Sequence, residues 1–190
     1  MSSEKPILYS YYRSSCSWRV RTCLNWKGID YEYCPVNLLK GAQNKEEYSE
    51  INPYELVPTL KINGIVLSQS VRSLVQAIAG DIQPLQNLRS VTFIESIGGN
   101  RDEWINYCIV QGFAGVEKQL AKTSGKYCVG DEVTLADVVL LPQVYNSNRF
   151  GIDMTKFPLI QRIANDLYEL DAFKKAHPQN QIDCPAEEKN

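Results

Sequence analysis

The chain has 190 residues, 20 lysines and arginines against 22 aspartates and glutamates, a formal charge of −2 and a single histidine. That length buries a substantial core in one large or two small domains, and the near-neutral charge supplies no bulk field for phosphate backbones or acidic lipid. No apolar run approaches the ~18 residues that span a bilayer, and the opening MSSEKPILYS lacks a signal-like apolar segment, so the expectation is a cytoplasmic protein without membrane or nucleic-acid partners.

In chain order, KPILYSYY reads as a strand and residues 15 to 27 as a helix carrying Val20, Cys23, Leu24 and Trp26. GIDYEYCPVNL returns to an aromatic and β-branched run after a glycine that suits a helix end, and AQNKEEYSEI is helix-compatible before the turn signal NPYE. VPTLKI and GIVLS then form two short runs separated by Asn63-Gly64, a type I′ hairpin signal, so this pair is expected to be antiparallel. From Gln69 onward helical periodicity takes over. Val71, Leu74, Val75 and Ile78 share one apolar face, DEWINYCIVQGFAGVEKQLAK continues as a longer helix, and a last helix is expected from about Pro158 to Ala172, followed by a polar tail. Between these, Thr134 precedes Asp137 by three residues, a capping-box spacing in which side-chain oxygens satisfy the free amides of a helix start, with Val133 and Val138 placed as a staple.

Six cysteines (16, 23, 34, 108, 128 and 184) are scattered without a C-x-x-C pair, which argues against a zinc cage, and the lone His177 argues against a Cys-His catalytic pair. No metal is expected. Most of the thiols read as small buried hydrophobes in a reducing compartment.

The stretch SSCSWRVR, residues 14 to 21, places serines at the expected start of the first helix. Serine is a preferred N-cap, so a purely structural role is open. The same geometry also suits an anion or thiolate, because unpaired amides and the positive end of the helix dipole converge there. Lowering a thiol from a pKa of ~8.5 to ~6.5 requires about 2.7 kcal/mol. One charge-assisted hydrogen bond supplies about 1.5–3 kcal/mol and the helix end roughly 0.3–1. The thiolate fraction at pH 7 would rise from about 3% to about 76%, with no histidine base.

A βαβ unit, V-P ahead of a hairpin, Gln69-Ser70 opening a helix and the helical VGDEVTLADVVLLP resemble the cytosolic glutathione transferases. SSCSWRVR, VPTLKINGI, IQPLQNL and YCVGDEVTLADVVLLPQV resemble the zeta class, the maleylacetoacetate isomerases, over almost the whole chain. The resemblance implies an α/β plus all-α fold: a thioredoxin-like glutathione-binding domain over residues 3–70 and a helical domain over 71–190. It implies that Ser14 assists the glutathione thiolate with Ser15 and Cys16 beside it, Cys16 tuning rather than attacking. Ser17, Trp18 and Arg19 complete that segment. A cis Val57-Pro58 bond would free the Val57 backbone for the cysteinyl group, Gln69 and Ser70 would take the γ-glutamyl end, and Gln43 the glycyl end. Gln83, Asn87, Leu88 and Arg89 match second-domain contacts, although position 89 is usually a smaller polar residue. Arg149 matches an arginine that faces the acidic substrate, and Arg13 and Arg19 add to a basic pocket. The implied reaction is glutathione-dependent conversion of maleylacetoacetate to fumarylacetoacetate in tyrosine and phenylalanine catabolism, with transferase activity on α-halo acids.

One departure stands out. A cover helix, a linker and a first helix of the second domain need roughly 27 positions. Only eleven lie between Ser70 and Ile82, a helical length of ~17 Å. The chain reads as internally shortened after Ser70, with the cover helix missing or fused. That predicts either a fused helix serving both domains or an open sheet face, and it weakens the family's homodimer interface. Two alternatives remain beside the enzyme: a catalytically weak glutathione-binding or interaction protein of the same fold, and a thiol-disulfide oxidoreductase with Cys16 as nucleophile.

Overall fold

The computed structural model describes residues 5–52, 56–61 and 69–189, without the side chains of residues 49, 69, 70, 72 and 73. Contacts divide the chain into two compact units: residues 1–65 with 170–190, and residues 66–169.

The first unit is built on a three-stranded sheet in the order β2-β1-β3. Strand β1 (Ile7–Ser10) leads to helix α1 (Ser15–Trp26) and returns as β2 (Glu32–Pro35), which pairs parallel to β1 with Ile7 opposite Glu32. A short helix α2 (Glu46–Ser49) precedes β3 (Thr59–Lys61), which pairs antiparallel to β1 with Leu8 opposite Leu60. The expected hairpin at Asn63-Gly64 and the run 64–68 lie outside the described residues. Alternation along β1 puts Leu8 and Ser10 on a fully buried face and leaves Ile7 and Tyr9 half-buried on the other, where Tyr9 packs edge-on to Tyr48 of α2 at 5.9 Å. Both sides of β1 therefore have protein against them.

Helix α1 begins where the serines place it. The Ser14 side chain accepts from the Ser17 amide at 3.1 Å as N-cap. The helix ends at Gly28, whose φ of +62° closes the last turn at low steric cost. Its buried face carries Trp18, Arg21 and Leu24. Helix α8 (Asp171–Ala176) packs on this helix: Phe173 lies edge-on to Trp26 at 6.5 Å, and Asn25 donates to the Ala172 carbonyl at 3.4 Å. The sequence pattern joined this segment to the helix before it. The structure breaks that helix at Leu170, which takes an extended backbone and starts α8, so residues 170–190 pack with the sheet unit. No glycine or proline marks the break; packing of Phe173 and Ala176, both buried, decides it.

His177 follows α8, packs edge-on to Trp18 at 5.1 Å and accepts the Gln179 amide on Nδ1 at 3.3 Å. Burial, with Arg21 nearby, holds its pKa below the ordinary 6.5. The neutral ring is thus favoured in the folded state, and its contribution is full above pH 6.5 and lost as pH falls below that value, where the unfolded chain takes up the proton first. Thermal melts from pH 7.5 to 5 are expected to show a falling Tm, with a shallower fall in His177→Asn, whose side-chain oxygen can still accept the Gln179 amide.

In the second unit α3 (Gln69–Gln76) runs directly into a wider turn over Ala77–Ile82 and a 3-10 turn over Gln83–Gln86. One continuous helical stretch thus occupies the region where two helices and a linker need room. Among its described side chains Val71, Leu74, Ile78, Ile82 and Gln86 are buried, while Val75 of the expected face is only half-buried. Helices α4 (Leu88–Ser96) and α5 (Arg101–Thr123) follow, and the first stretch crosses α5 at Gly112, where a Cβ would collide with Ile82. Helix α6 (Leu135–Arg149) is buried on every side from Ala136 to Val144, as a central helix must be. Helix α7 (Pro158–Tyr168) buries Ile160, Ile163, Ala164 and Leu167, and the Glu117 carboxylate of α5 accepts its first amides, Leu159 at 2.7 Å and Ile160 at 3.0 Å. Among the described residues there are eight α-helices and three strands, and no helix is long and apolar enough to cross a membrane.

Candidate functional site

The turn between β1 and α1 carries the residues singled out in the sequence. Ser14 is half-buried, and its Oγ accepts one hydrogen bond from the Ser17 amide while its hydroxyl hydrogen stays free to donate. Ser15 and Cys16 are the first two helical residues, so their amides precede the first intrahelical acceptor. A half-exposed hydroxyl and free amides at a helix start form a donor set for an anion.

Cys16 is not poised as a nucleophile. Burial pushes its thiol up from the ordinary cysteine range, and neither the Arg19 charge one turn away nor the Ser15 hydroxyl fully offsets this. At neutral pH it is a thiol rather than a thiolate.

Ser17 Oγ, Arg19 Nε and Nη2, and Gln43 Oε1 are among the buried polar atoms with no hydrogen-bond partner among the described residues, as is Thr22 Oγ1 on the same helix as Ser17 and Arg19. Folded proteins leave few such atoms unpaired, and burial pulls the Arg19 pKa down with no carboxylate to hold it up. Ser17, Arg19 and Gln43 match positions expected to meet glutathione. Val57 is joined to Pro58 by a cis peptide bond and packs, half-buried, against Tyr11, Tyr12 and Cys184. Trp18 is fully buried and acts as core. Arg13 is one-third exposed and lies 3.7 Å from the Glu188 carboxylate.

The remaining predicted residues belong to the second unit. The side chains of Gln69 and Ser70 lie outside the described residues, though both sit in the first turn of α3. Gln83 is half-buried at the start of the 3-10 turn. Asn87 caps α4, its Oδ1 accepting the Ser90 amide at 3.2 Å, and Leu88 and Arg89 are exposed on the first turn of that helix. Arg149 is exposed at the C-terminus of α6, its guanidinium 5.8 Å from the Phe150 ring. Gln83, Asn87, Leu88 and Arg89 thus lie within one short run of chain, interrupted by the buried Gln86, and Arg149 stands on another helix. Two grooves of this unit, about 610 Å³ beside Met154, Pro158 and Arg162 and about 450 Å³ beside Ile97, Trp104 and Tyr107, contain none of the predicted residues.

Sequence reasoning missed the groups that hold the turn. Arg21 is fully buried and donates to the Ser10 hydroxyl at 3.1 Å and to the carbonyls of Tyr11 at 3.4 Å, Tyr12 at 3.0 Å and Ala176 at 3.0 and 3.1 Å. A charged side chain three residues from both Trp18 and Leu24, on the apolar face of α1, was the available signal. Asp183 accepts the Tyr12 amide, and nothing in its local sequence points to that. A buried amide pair in the second unit, Gln86 Nε2 to Gln143 Oε1 at 2.7 Å, was also missed; Gln86 sits one position before the predicted Asn87.

Comparison with known proteins agrees with this arrangement. Residues 8–81 match the family model for the glutathione S-transferase N-terminal domain, and residues 98–176 that for its C-terminal domain. The maleylacetoacetate isomerase of Mus musculus is 45% identical over 216 residues, covering 98% of this chain and 99% of the relative. Because the aligned length exceeds the 190 residues of this chain, the relative carries about 30 internal positions without a counterpart here. A bacterial zeta-class maleylpyruvate isomerase superimposes with a TM-score of 0.87 at 32% identity, covering 94% of this chain and all of that one. The maleylacetoacetate isomerase of Anaeromyxobacter dehalogenans, with dicarboxyethyl glutathione and citrate in its active site, superimposes with a TM-score of 0.83 at 32% identity over 98% of this chain and 96% of that one. With a serine-capped helix start, two matching domain families and this extent of identity, the chain belongs to the glutathione S-transferase family, in its zeta-class maleylacetoacetate isomerase branch.

Proposed function

We propose that the chain is a glutathione-dependent cis–trans isomerase that converts maleylacetoacetate to fumarylacetoacetate, a cytoplasmic step of tyrosine and phenylalanine catabolism. The observation that carries the reading is the serine-capped start of α1, with its free amides, in a chain 45% identical to a maleylacetoacetate isomerase. Glutathione, when bound, supplies a thiolate that adds to the cis double bond and leaves after rotation. The chain's own part is to hold and stabilise that sulfur. Ser14 donates its hydroxyl hydrogen, and the amides of Ser15 and Cys16 add the positive end of α1. Cys16, kept protonated by burial, lines the position without competing for the substrate. The Val57 backbone, Gln43, Gln69 and Ser70 are assigned to the peptide arms of the cofactor. Gln83, Asn87, Leu88 and Arg89 are assigned as second-unit contacts by the resemblance alone. The resemblance assigns Arg13, Arg19 and Arg149 to the positive charge that a dicarboxylate needs.

The test is turnover of maleylacetone by the purified chain with and without glutathione. Isomerisation is expected only with glutathione, and Cys16→Ala is expected to stay within about threefold of the parent, since a protonated thiol contributes little. Binding of glutathione without turnover by the folded parent would instead make it a binding protein of this fold. A large loss in Cys16→Ala would return the nucleophile to that residue.

A further inference from the structure

We propose that Asp183, with Arg21, is a positioning residue for the turn that delivers Ser14. The turn has little to hold it locally. Its backbone bond within residues 11–14 runs from the Ser14 amide to the Tyr11 carbonyl at 3.0 Å. Both backbone groups of Tyr12 are instead held from outside. Its amide donates to Asp183 Oδ2 at 2.9 Å, and its carbonyl accepts from Arg21 Nη2 at 3.0 Å.

Each of those two groups is anchored in turn. The other oxygen of Asp183 accepts the Tyr33 hydroxyl of β2 at 2.8 Å, and burial pushes the Tyr33 pKa up, so that phenol remains a donor at neutral pH. Arg21 also grips the Ala176 carbonyl at the end of α8 through two nitrogens. Strand β2, helix α8 and the segment after it therefore converge on one residue, Tyr12, and so on two successive peptide units ahead of the N-cap. Tyr12 adds a third link from its side chain, donating to the Glu188 carboxylate at 3.1 Å. The partners of Tyr12 lie 171 and 176 residues away for the carboxylates and nine for Arg21. A turn held mainly by distant side chains keeps its geometry only while they are in place. Displacement of a catalytic group by about 1 Å costs on the order of 10²-fold in rate.

The catalytic consequence rests on the glutathione reading above; the tether itself does not. Three quantities are to be measured on Asp183→Ala and Asp183→Asn in the full chain, with Glu187→Ala as a control at an exposed position. They are exchange of the Tyr12 amide without glutathione, the pH titration of the ultraviolet thiolate absorbance of added glutathione, and kcat and KM for maleylacetone. In Asp183→Ala the Tyr12 amide is expected to exchange at least about tenfold faster. The thiolate titration should move to higher pH, and kcat should fall about 10- to 100-fold with a smaller change in KM. Asp183→Asn, with one oxygen left for two donors, should fall between, and it serves if the alanine variant does not fold. An unchanged Tyr12 exchange rate in both variants overturns the tether. Faster exchange with unchanged titration and kcat reduces Asp183 to a structural residue and overturns its positioning role. A parent that neither lowers the glutathione pKa nor turns over substrate removes the functional reading and the positioning role with it, while the exchange rates still decide the tether.

Discussion

Ser14→Ala is expected to lower kcat/KM for the glutathione-dependent reaction by about 10- to 150-fold. The magnitude follows from one lost charge-assisted hydrogen bond, about 1.5–3 kcal/mol, converted at about 1.4 kcal/mol per tenfold. The thiolate absorbance of bound glutathione should shift to higher pH in parallel. A second loss is structural: the Ser14 side chain accepts the Ser17 amide, and removing an N-cap costs about 1 kcal/mol. For a chain of this size that is a Tm drop of about 2–4 °C. Ser14→Asp separates the two, because aspartate is as good an N-cap as serine but offers the sulfur an anion in place of a donor. It should keep the Tm and lose at least as much activity as alanine. Ser14→Thr keeps both functions and should retain most of the rate. If Ser14→Asp is as active as the parent, the serine is only a cap.

The largest effect on stability is expected at Asp137. This fully buried carboxylate accepts the Thr134 amide at 2.8 Å and the Thr134 hydroxyl at 2.9 Å with one oxygen, and the Cys128 amide at 2.8 Å with the other. It thus ties the loop ahead of α6 to the first turn of the unit's central helix. Alanine leaves these buried donors without their acceptor, at about 1–3 kcal/mol for each unsatisfied group with incomplete additivity. A net cost of about 3 kcal/mol and a Tm drop of about 6–12 °C follow for a protein of this length. That is a large share of the roughly 5–15 kcal/mol that holds an ordinary domain folded. Asp137→Asn keeps one acceptor oxygen and should lie between. A drop below about 3 °C in Asp137→Ala would show that the box contributes little.

How far these groups are legible in the sequence depends on how local their partners are. The capping box was readable because Thr134 and Asp137 are three residues apart, and a helix start always leaves amides to satisfy. The second role of the same carboxylate, on Cys128, was not, since it needs the loop to fold back. SSCSWRVR announced a helix start, and the structure puts the cap at Ser14 within one residue of the expected serines. Val71, Leu74 and Ile78 were readable from their period, whereas the extension of that face to Ile82 depends on the close crossing at Gly112. The missing space after Ser70 was a matter of counting, and one helical stretch is what the structure builds there.

By itself, then, the sequence determined what short-range rules can determine: the βαβ start, the serine cap, the helical second part, the capping box and the family, whose motifs lie in contiguous strings. Tertiary structure alone decided that the helix after Pro158 stops at Leu170, that residues 170–190 pack with the sheet, and that Arg21 and Asp183 hold the Ser14 turn. The physical reason is common to all three. Each includes a partner more than 140 positions away in the chain, Ala172 for Asn25, Ala176 for Arg21 and Asp183 for Tyr12, and neither propensity nor periodicity carries information over that distance.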